Sequence, residues 1–451
     1  MSMMALDGNL AEGVVAVTFR KPRHGGWMTA ALFILLAMRL SPAAAADLPI
    51  SKGETLDLKR CISIAMERHP SIIAAANTIR AGESRVGQAM SGYYPQLNAT
   101  TGYSRTDPIA SPTSLSAQTY NSYSSNVTLF QNVYNFGKTA TQVKIQELNR
   151  DSYRSDLENI FTQVIFGVKQ AYWALLQAGR NRDVAKESVA QFEHHLEQAQ
   201  GFFEVGTKPK FDVTKAEVDL SAAKLTLVRA ENTFRLARVS LNNAIGLPNA
   251  PDYDLVDQLA FQRIDVDLEA AILKAYGRRP DLQSILVRKQ SLEQTIELAR
   301  KDYYPFVTGN MNYGWGGSNF PLGQGWSVGA QLNVPIFSGF LTKYQVDEAK
   351  ANLDVLSANE VLLRQTIDQD VKQAFLNMQE AASRFVTAEI SVRQAAENLD
   401  LANGRYASGV GNPIEVTDAL VAASNAKTAQ IAALYDYRVA QASLEKATGE
   451  R

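Results

Sequence analysis

Cysteine is almost absent from this chain, with Cys61 alone among 451 residues. One thiol excludes an intramolecular disulfide and a cysteine-based zinc site. Histidine is nearly as scarce, at four. His194 and His195 are adjacent on a helical pattern, so they point about 100° apart and do not form a ligand pair. His69, before Pro70 at a helix break, reads as surface polarity. Neither sign of charge dominates: 45 Lys and Arg stand against 46 Asp and Glu. A nucleic-acid partner would want a basic surface, which such a balance does not provide. Beyond the N-terminal region no apolar run approaches the roughly 20 residues of a transmembrane helix. The glycines of "YGWGGSNFPLGQG" lack the strand-to-helix setting of a phosphate loop and read as a hairpin turn. With no nucleophile–base constellation and no metal-ligand spacing, neither enzyme activity nor a cofactor is expected.

What is present begins with an export signal. Arg20, Lys21 and Arg23 precede the apolar run "WMTAALFILLAM", and "SPAAAA" follows with Ala44 and Ala46. That order of basic, apolar and small-residue segments is a secretory signal over residues 1–46. Its removal takes away four bases and two acids, leaving 41 (45 − 4) against 44 (46 − 2), a net charge of −3. Cys61 lies too far past the cleavage site to carry an N-terminal lipid. An exported chain of this kind is periplasmic, secreted or an outer-membrane β-barrel.

The remainder is written twice. "SGYYPQLNAT" at Tyr93, Tyr94 and Pro95 reappears as "KDYYPFVTGN" at Tyr303, Tyr304 and Pro305, an offset of 210 (303 − 93). At the same offset "LDLKRCISIAMERHPSI" (56–72) overlays "VDLEAAILKAYGRRPDL" (266–282). Further on the offset is 203, where Gly206 meets Gly409 and Gly246 meets Gly449. The first repeat is expected over 47–246, a Pro-containing linker over 247–265 and the second repeat over 266–451.

Within each repeat the period changes. After each Pro-containing junction, Leu97, Ala99, Thr101 and Tyr103, or Val307, Gly309, Met311 and Tyr313, alternate with polar or small residues. Beyond the loop Tyr123, Val127 and Leu129, or Trp326, Val328, Ala330 and Leu332, do the same. Period two with aromatic and β-branched residues predicts hairpins over about 95–136 and 305–337. Each strand is about as long as the 9–11 residues a tilted membrane strand needs. A heptad seam follows in the second repeat, from Ile367 through Val371, Ala374, Met378, Ala381, Phe385 and Ala388 to Leu399, Ala402 and Tyr406. The first repeat shows the same seam from Leu157 to Phe203, missing only at Arg182. Long helices are predicted over about 138–205 and 341–408, on the order of 100 Å each at 1.5 Å per residue. Return helices follow over about 211–245 and 413–448.

Two hairpins give four strands, too few to close a barrel. An open edge in lipid leaves backbone groups unpaired at several kcal/mol each. Bacterial barrels start at about eight strands. The chain is therefore expected to be a subunit, and two copies would supply eight strands or three copies twelve.

The order of signal, helix, strand pair, long helix, glycine turn and return helix, repeated, resembles the TolC-type outer membrane efflux protein family. The carrying stretches are "LDLKRCISIAMERHP", "YYPQLNATTGYS", "VKQAYWALL", "VGTKPKFDVTKAEVDLSAA" and "RYASGVGNPIEVTDALVAA". The resemblance implies a mostly α fold of duplicated coiled-coil helices, whose two hairpins join a trimeric twelve-stranded outer-membrane barrel. It implies a location in the outer membrane of a Gram-negative bacterium, with a helical tunnel reaching into the periplasm. The implied partners are two further copies of the chain, outer-membrane lipid, a periplasmic adaptor (membrane fusion) protein and an inner-membrane pump of RND, ABC or MFS type. The implied function is the exit duct of a tripartite efflux pump or type I secretion system. The alternative is a soluble periplasmic coiled-coil adaptor or scaffold without a channel.

Candidate functional residues cluster at the glycine turns. In "GVGNPIEVTDAL" (409–420) Asn412 stands as N-cap, Pro413 at the first helical position and Glu415 at the third. Glu415 and Asp418 share a helical face. Around a threefold axis they would form two carboxylate rings, a device for cation preference. The resemblance places a periplasmic aperture here and gives Tyr406 a role in tying it closed by hydrogen bonding. The basic residue it expects shortly after Gly409 is replaced by Gly411. The counterparts in the first repeat are Asp212 and Lys215, so only one carboxylate recurs. Tyr93, Tyr94, Pro95, Tyr303, Tyr304 and Pro305 read as helix–strand junctions at the membrane interface, where amphipathic rings are enriched.

Overall fold

The computed structural model describes residues 50–107 and 119–450. The expected signal segment and the centre of the first hairpin's loop lie outside the described residues. The chain opens with a two-residue strand β1 (Thr55–Leu56), then α1 (Leu58–Arg68) and α2 (Pro70–Met90). A hairpin follows, β2 (Gln96–Thr106) and β3 (Tyr120–Tyr134), then α3 (Lys138–Glu204) and α4 (Lys210–Ala244). After β4 (Asp254–Leu255) come α5 (Leu268–Arg278), α6 (Pro280–Arg300), β5 (Phe306–Gly317), β6 (Gly323–Asn333), α7 (Leu341–Ala407) and α8 (Pro413–Ala447).

The helices repeat in length as well as order. α1 and α5 have 11 residues each, and α2 and α6 have 21 each. α3 and α7 have 67 each, and α4 and α8 have 35 each. Local chemistry starts them alike. Asp57 and Asp267 cap α1 and α5, accepting from the amides of Arg60 at 2.7 Å and Glu269 at 3.1 Å. His69 has a capping role of its own, its Nδ1 accepting from the Ser71 amide at 3.3 Å. Pro70 and Pro280 occupy first-turn positions, where a missing N–H costs nothing.

Each Tyr-Tyr-Pro ends a helix. A single 3₁₀ turn, Ser91–Tyr93 or Lys301–Tyr303, tightens the last turn of α2 or α6. The next tyrosine, Tyr94 or Tyr304, is extended, because the proline ring after it disfavours helix. The strand starts one residue beyond the proline.

The two hairpins join in one antiparallel sheet of order β2-β3-β5-β6. Ala99 pairs with Val127, Val127 with Tyr313, and Tyr313 with Trp326. The central contact, β3 on β5, thus unites the repeats. The outer edges of β2 and β6 have no strand beside them among the described residues. Every residue of β2 and β6 is exposed. Such a sheet has no core of its own in the single chain.

The cores lie in the helices. α3 packs on α4 and α7 on α8, and α3 also meets α6 and α8, which ties the two repeats together. The seam of α7 faces inward, with Ile367, Val371, Ala374, Met378, Ala381, Leu399, Ala402 and Tyr406 all buried. In α3 the seam holds as far as Ala199, but Phe203, expected to continue it, is exposed. Phe202 turns inward instead and meets Tyr406. At the missed seam position, the Arg182 guanidinium lies 4.4 Å from the centre of the Phe234 ring of α4. β1 pairs with β4 in parallel. There Leu56, Cys61, Ile64, Val168, Tyr172, Leu241 and Ile245 form one cluster. The Tyr172 hydroxyl donates to the Val256 carbonyl at 2.6 Å, and Arg180 forks onto the Asp257 carboxylate.

Candidate functional site

The two glycine turns lie side by side. In each, the chain leaves a 67-residue helix through a Schellman-type cap. The Gly206 amide donates to Phe203 and that of Thr207 to Phe202, while Gly409 donates to Tyr406 and Val410 to Arg405. Gly206 at φ +78 and Gly409 at φ +76 are left-handed, a region a side chain rarely adopts. Across the turns, Lys208 Nζ donates to the Gly411 carbonyl at 3.3 Å.

Gly411 is required for a different reason. A Cβ there would fall 2.7 Å from the Tyr406 nitrogen and 2.9 Å from the Arg405 carbonyl carbon. A basic residue cannot occupy this position in this turn. Lys208, the counterpart of Gly411 in the first repeat (411 − 203), brings a cation to this turn, its ammonium 5.8 Å from the centre of the Tyr406 ring.

Asn412 caps α8, its Oδ1 accepting from the Ile414 amide at 3.0 Å, with Pro413 following. Glu415 does not reach back to close a capping box. Its carboxylate instead faces Arg405 on α7 at 3.3 Å. Both members of that pair are about half exposed, so its worth is at most about 1 kcal/mol. Asp418 is exposed on the same face of α8.

The structure separates Asp212 from these two. It is buried in the first turn of α4, within electrostatic reach of Tyr406 and His195. Lys215 does not face it but holds Asp219 at 2.5 Å, and Asp219 also accepts from Thr417 of α8 at 3.0 Å. That triad ties α4 to α8.

Tyr406 is fully buried beneath the turns. Its ring meets His195 at 5.1 Å and the edge of Phe202 at 5.4 Å. Its hydroxyl has no hydrogen-bond partner among the described residues, and burial pushes its pKa up. Within the single chain it acts as a packed aromatic. His195, Lys208, Phe202 and Asp219 are the members of this site that sequence reasoning passed over. The 203-residue offset points to Lys208; nothing in the pattern singles out the others.

At the opposite end of the helices, Tyr93, Tyr94, Tyr303 and Tyr304 are all exposed. Phe136 stacks on Tyr304 at 5.5 Å and meets Tyr134 edge-on at 4.8 Å. Ile336, Phe337 and Phe340, exposed after β6, extend the same aromatic and apolar zone. No helix among the described residues is long and apolar enough to cross a membrane.

Comparison with known proteins matches residues 61–247 and 271–450 to the family described as outer membrane efflux protein. The chain is 22% identical over 425 residues to the outer membrane protein TolC of Escherichia coli (strain K12), covering 88% of this chain and 83% of that protein. Among solved structures, CusC superposes with a TM-score of 0.76 at 16% identity, covering 90% of this chain and 98% of CusC. The CmeC outer membrane channel of Campylobacter jejuni superposes with a TM-score of 0.75 at 18% identity, covering 87% and 85%. These two likenesses concern the fold.

Proposed function

Since this chain belongs to the outer membrane efflux protein family, we propose that three copies assemble into a channel whose twelve strands close in the outer membrane and whose helices form a periplasmic tunnel. The protein resides in the outer membrane and serves as an exit duct for efflux machinery. The observation that carries an assembly of copies is the four-stranded sheet, whose two outer edges pair with no other strand among the described residues. Three copies, where two would also leave no open edge, follow from the twelve-stranded barrel that the family resemblance implies. Lipid does not tolerate such edges, and three copies joined β6 to β2 would satisfy every one of them. The exposed tyrosines at both junctions, with Phe136 and Phe340, would sit at the periplasmic interface of the bilayer and contact lipid.

The glycine turns are the proposed periplasmic aperture. Around a threefold axis Glu415 and Asp418 would form two carboxylate rings favouring cations. Asp212, buried under the turn, would act on the aperture through Tyr406 and not by facing the pore. Partners on the periplasmic side would be an adaptor protein and an inner-membrane pump of RND, ABC or MFS type. A catalytic role is not proposed.

Single-channel conductance of detergent-purified protein in a planar bilayer tests this reading, run beside the double variant Glu415→Ala, Asp418→Ala. Trimer-sized channels with reduced cation preference in the variant support both channel and aperture. Channels that ignore the substitutions remove the carboxylates from the aperture. Protein that stays soluble without detergent and forms no channel favours a periplasmic adaptor instead.

A further inference from the structure

His195 packs beside Tyr406 in the cluster beneath the turns. It is 3% exposed, and its Nδ1 is buried without a hydrogen-bond partner. Its ring, on α3 of the first repeat, packs 5.1 Å from that of Tyr406 on α7 of the second, a local contact between the repeats beneath the turns. Phe192, Leu196 and Leu399 belong to the same apolar cluster.

Charged groups face it from every side. α3 supplies His194; α4 supplies Asp212, Lys215 and Asp219. From the first turn Lys208 lies over the far partner, Tyr406. On α8 Thr417 meets the cluster through Asp219, which Lys215 also engages, and Glu415 is turned away to Arg405. The neutral imidazole suits this pocket. An added proton would place a charge and a second N–H donor where Nδ1 has nothing to donate to, a costly arrangement unless the pocket rearranges.

We propose that His195 is an acid-sensitive latch, whose protonation loosens its contact with Tyr406 in the cluster beneath the turns and releases the paired turns. Opening of the aperture as the consequence rests on the channel reading above; the loosening itself does not. Burial holds the His195 pKa below its ordinary 6.5 in the packed state, with Asp219 and Asp212 opposing in part. The packed state therefore binds fewer protons than a loosened state with the ring in water. Its stability is complete above 6.5 and is lost as pH falls below that value toward the depressed one.

Hydrogen–deuterium exchange of the full detergent-solubilised protein tests this at about pH 7.5 and about pH 5.5, on either side of the ordinary histidine pKa. After correction for intrinsic rates, segments 189–206 and 399–420 of the natural protein should exchange faster in acid, by up to about tenfold, the limit set by lying about one pH unit below the ordinary histidine value. His195→Phe and His195→Gln, which cannot take the proton, should show no such rise. Equal exchange of the natural protein at both pH values overturns the latch, as does a rise that persists in both variants. A failure of the channel reading would look different: no conducting pores, while the exchange contrast between natural protein and variants remains and upholds the latch.

Discussion

Tyr406 separates packing from hydrogen bonding. Its ring is enclosed by His195 and Phe202, while its hydroxyl finds no partner among the described residues. A buried unsatisfied hydroxyl carries a desolvation cost of about 1–3 kcal/mol. Tyr406→Phe is therefore expected to leave the stability of the helical half unchanged or raise it slightly. Tyr406→Ala should lower it by about 3–5 kcal/mol, the range for emptying an aromatic site. Thermal melts followed by circular dichroism check both. A clear loss in the Phe variant would mean that the enclosed hydroxyl does hold a hydrogen bond and contributes more than packing. Gly411 offers a second residue-scale test. The 2.7 Å approach that a Cβ would make to the Tyr406 backbone forces Gly411→Ala to shift the turn, at about 1–3 kcal/mol. Faster amide exchange confined to 405–415 would report it.

Among the long helices, the inward and outward stripes answer to different partners. On α7, Ile367 and Val371 are fully buried inside the chain, whereas Val355, Leu362, Leu376 and Leu401 are 61% exposed. α4 likewise exposes Val218, Leu225, Val228 and Leu236. Exposed apolar stripes at heptad-like spacing on two different helices suit contact between copies around an axis. Ile367→Ala should lower thermal stability by about 2–5 kcal/mol. The pair Leu376→Glu, Leu401→Glu should leave helix content intact but dissociate the assembly, seen by native mass spectrometry in detergent. Intact trimers in that variant would move the subunit contact elsewhere.

The molecule as a whole is divided between a helical half that can hold itself together and a sheet that cannot. The waist cluster around Leu56, Val168, Tyr172 and Leu241 gives the helices a core in a single chain. β2 and β6 are exposed at every residue and unpaired along one edge among the described residues, and on the proposed channel reading that edge and face are covered by other copies and by lipid. Cys61 supplies a probe that reads the helical half alone. It is fully buried beside Asp57, and its thiol is pushed up to about 12, chiefly by that burial. At about pH 8, within the range where a free thiol reacts, maleimide labelling should be slow and should follow global unfolding of the waist.

The duplication, the four strands, the long helices and the two glycine turns were all legible in the sequence, because each rests on period and on local chemistry. Period two, the heptad seam, Pro at helix starts and Gly at helix ends are short-range requirements that the residues themselves state. The family resemblance was likewise carried by contiguous stretches around Tyr-Tyr-Pro and the Gly turns. What the sequence could not state was which side chains meet when four helix ends converge. Asp212 and Glu415 occupy equivalent positions in the repeat, yet one is buried and the other faces water, because Asp212 lies within reach of Tyr406 and His195 while Glu415 is turned outward to Arg405. His195 reads as an unremarkable member of a His-His pair until α7 brings Tyr406 against it. Lys208 reaches the Gly411 carbonyl only because the two turns lie together. Contacts between segments some 200 residues apart follow from the packing of whole helices, and that packing belongs to the tertiary structure.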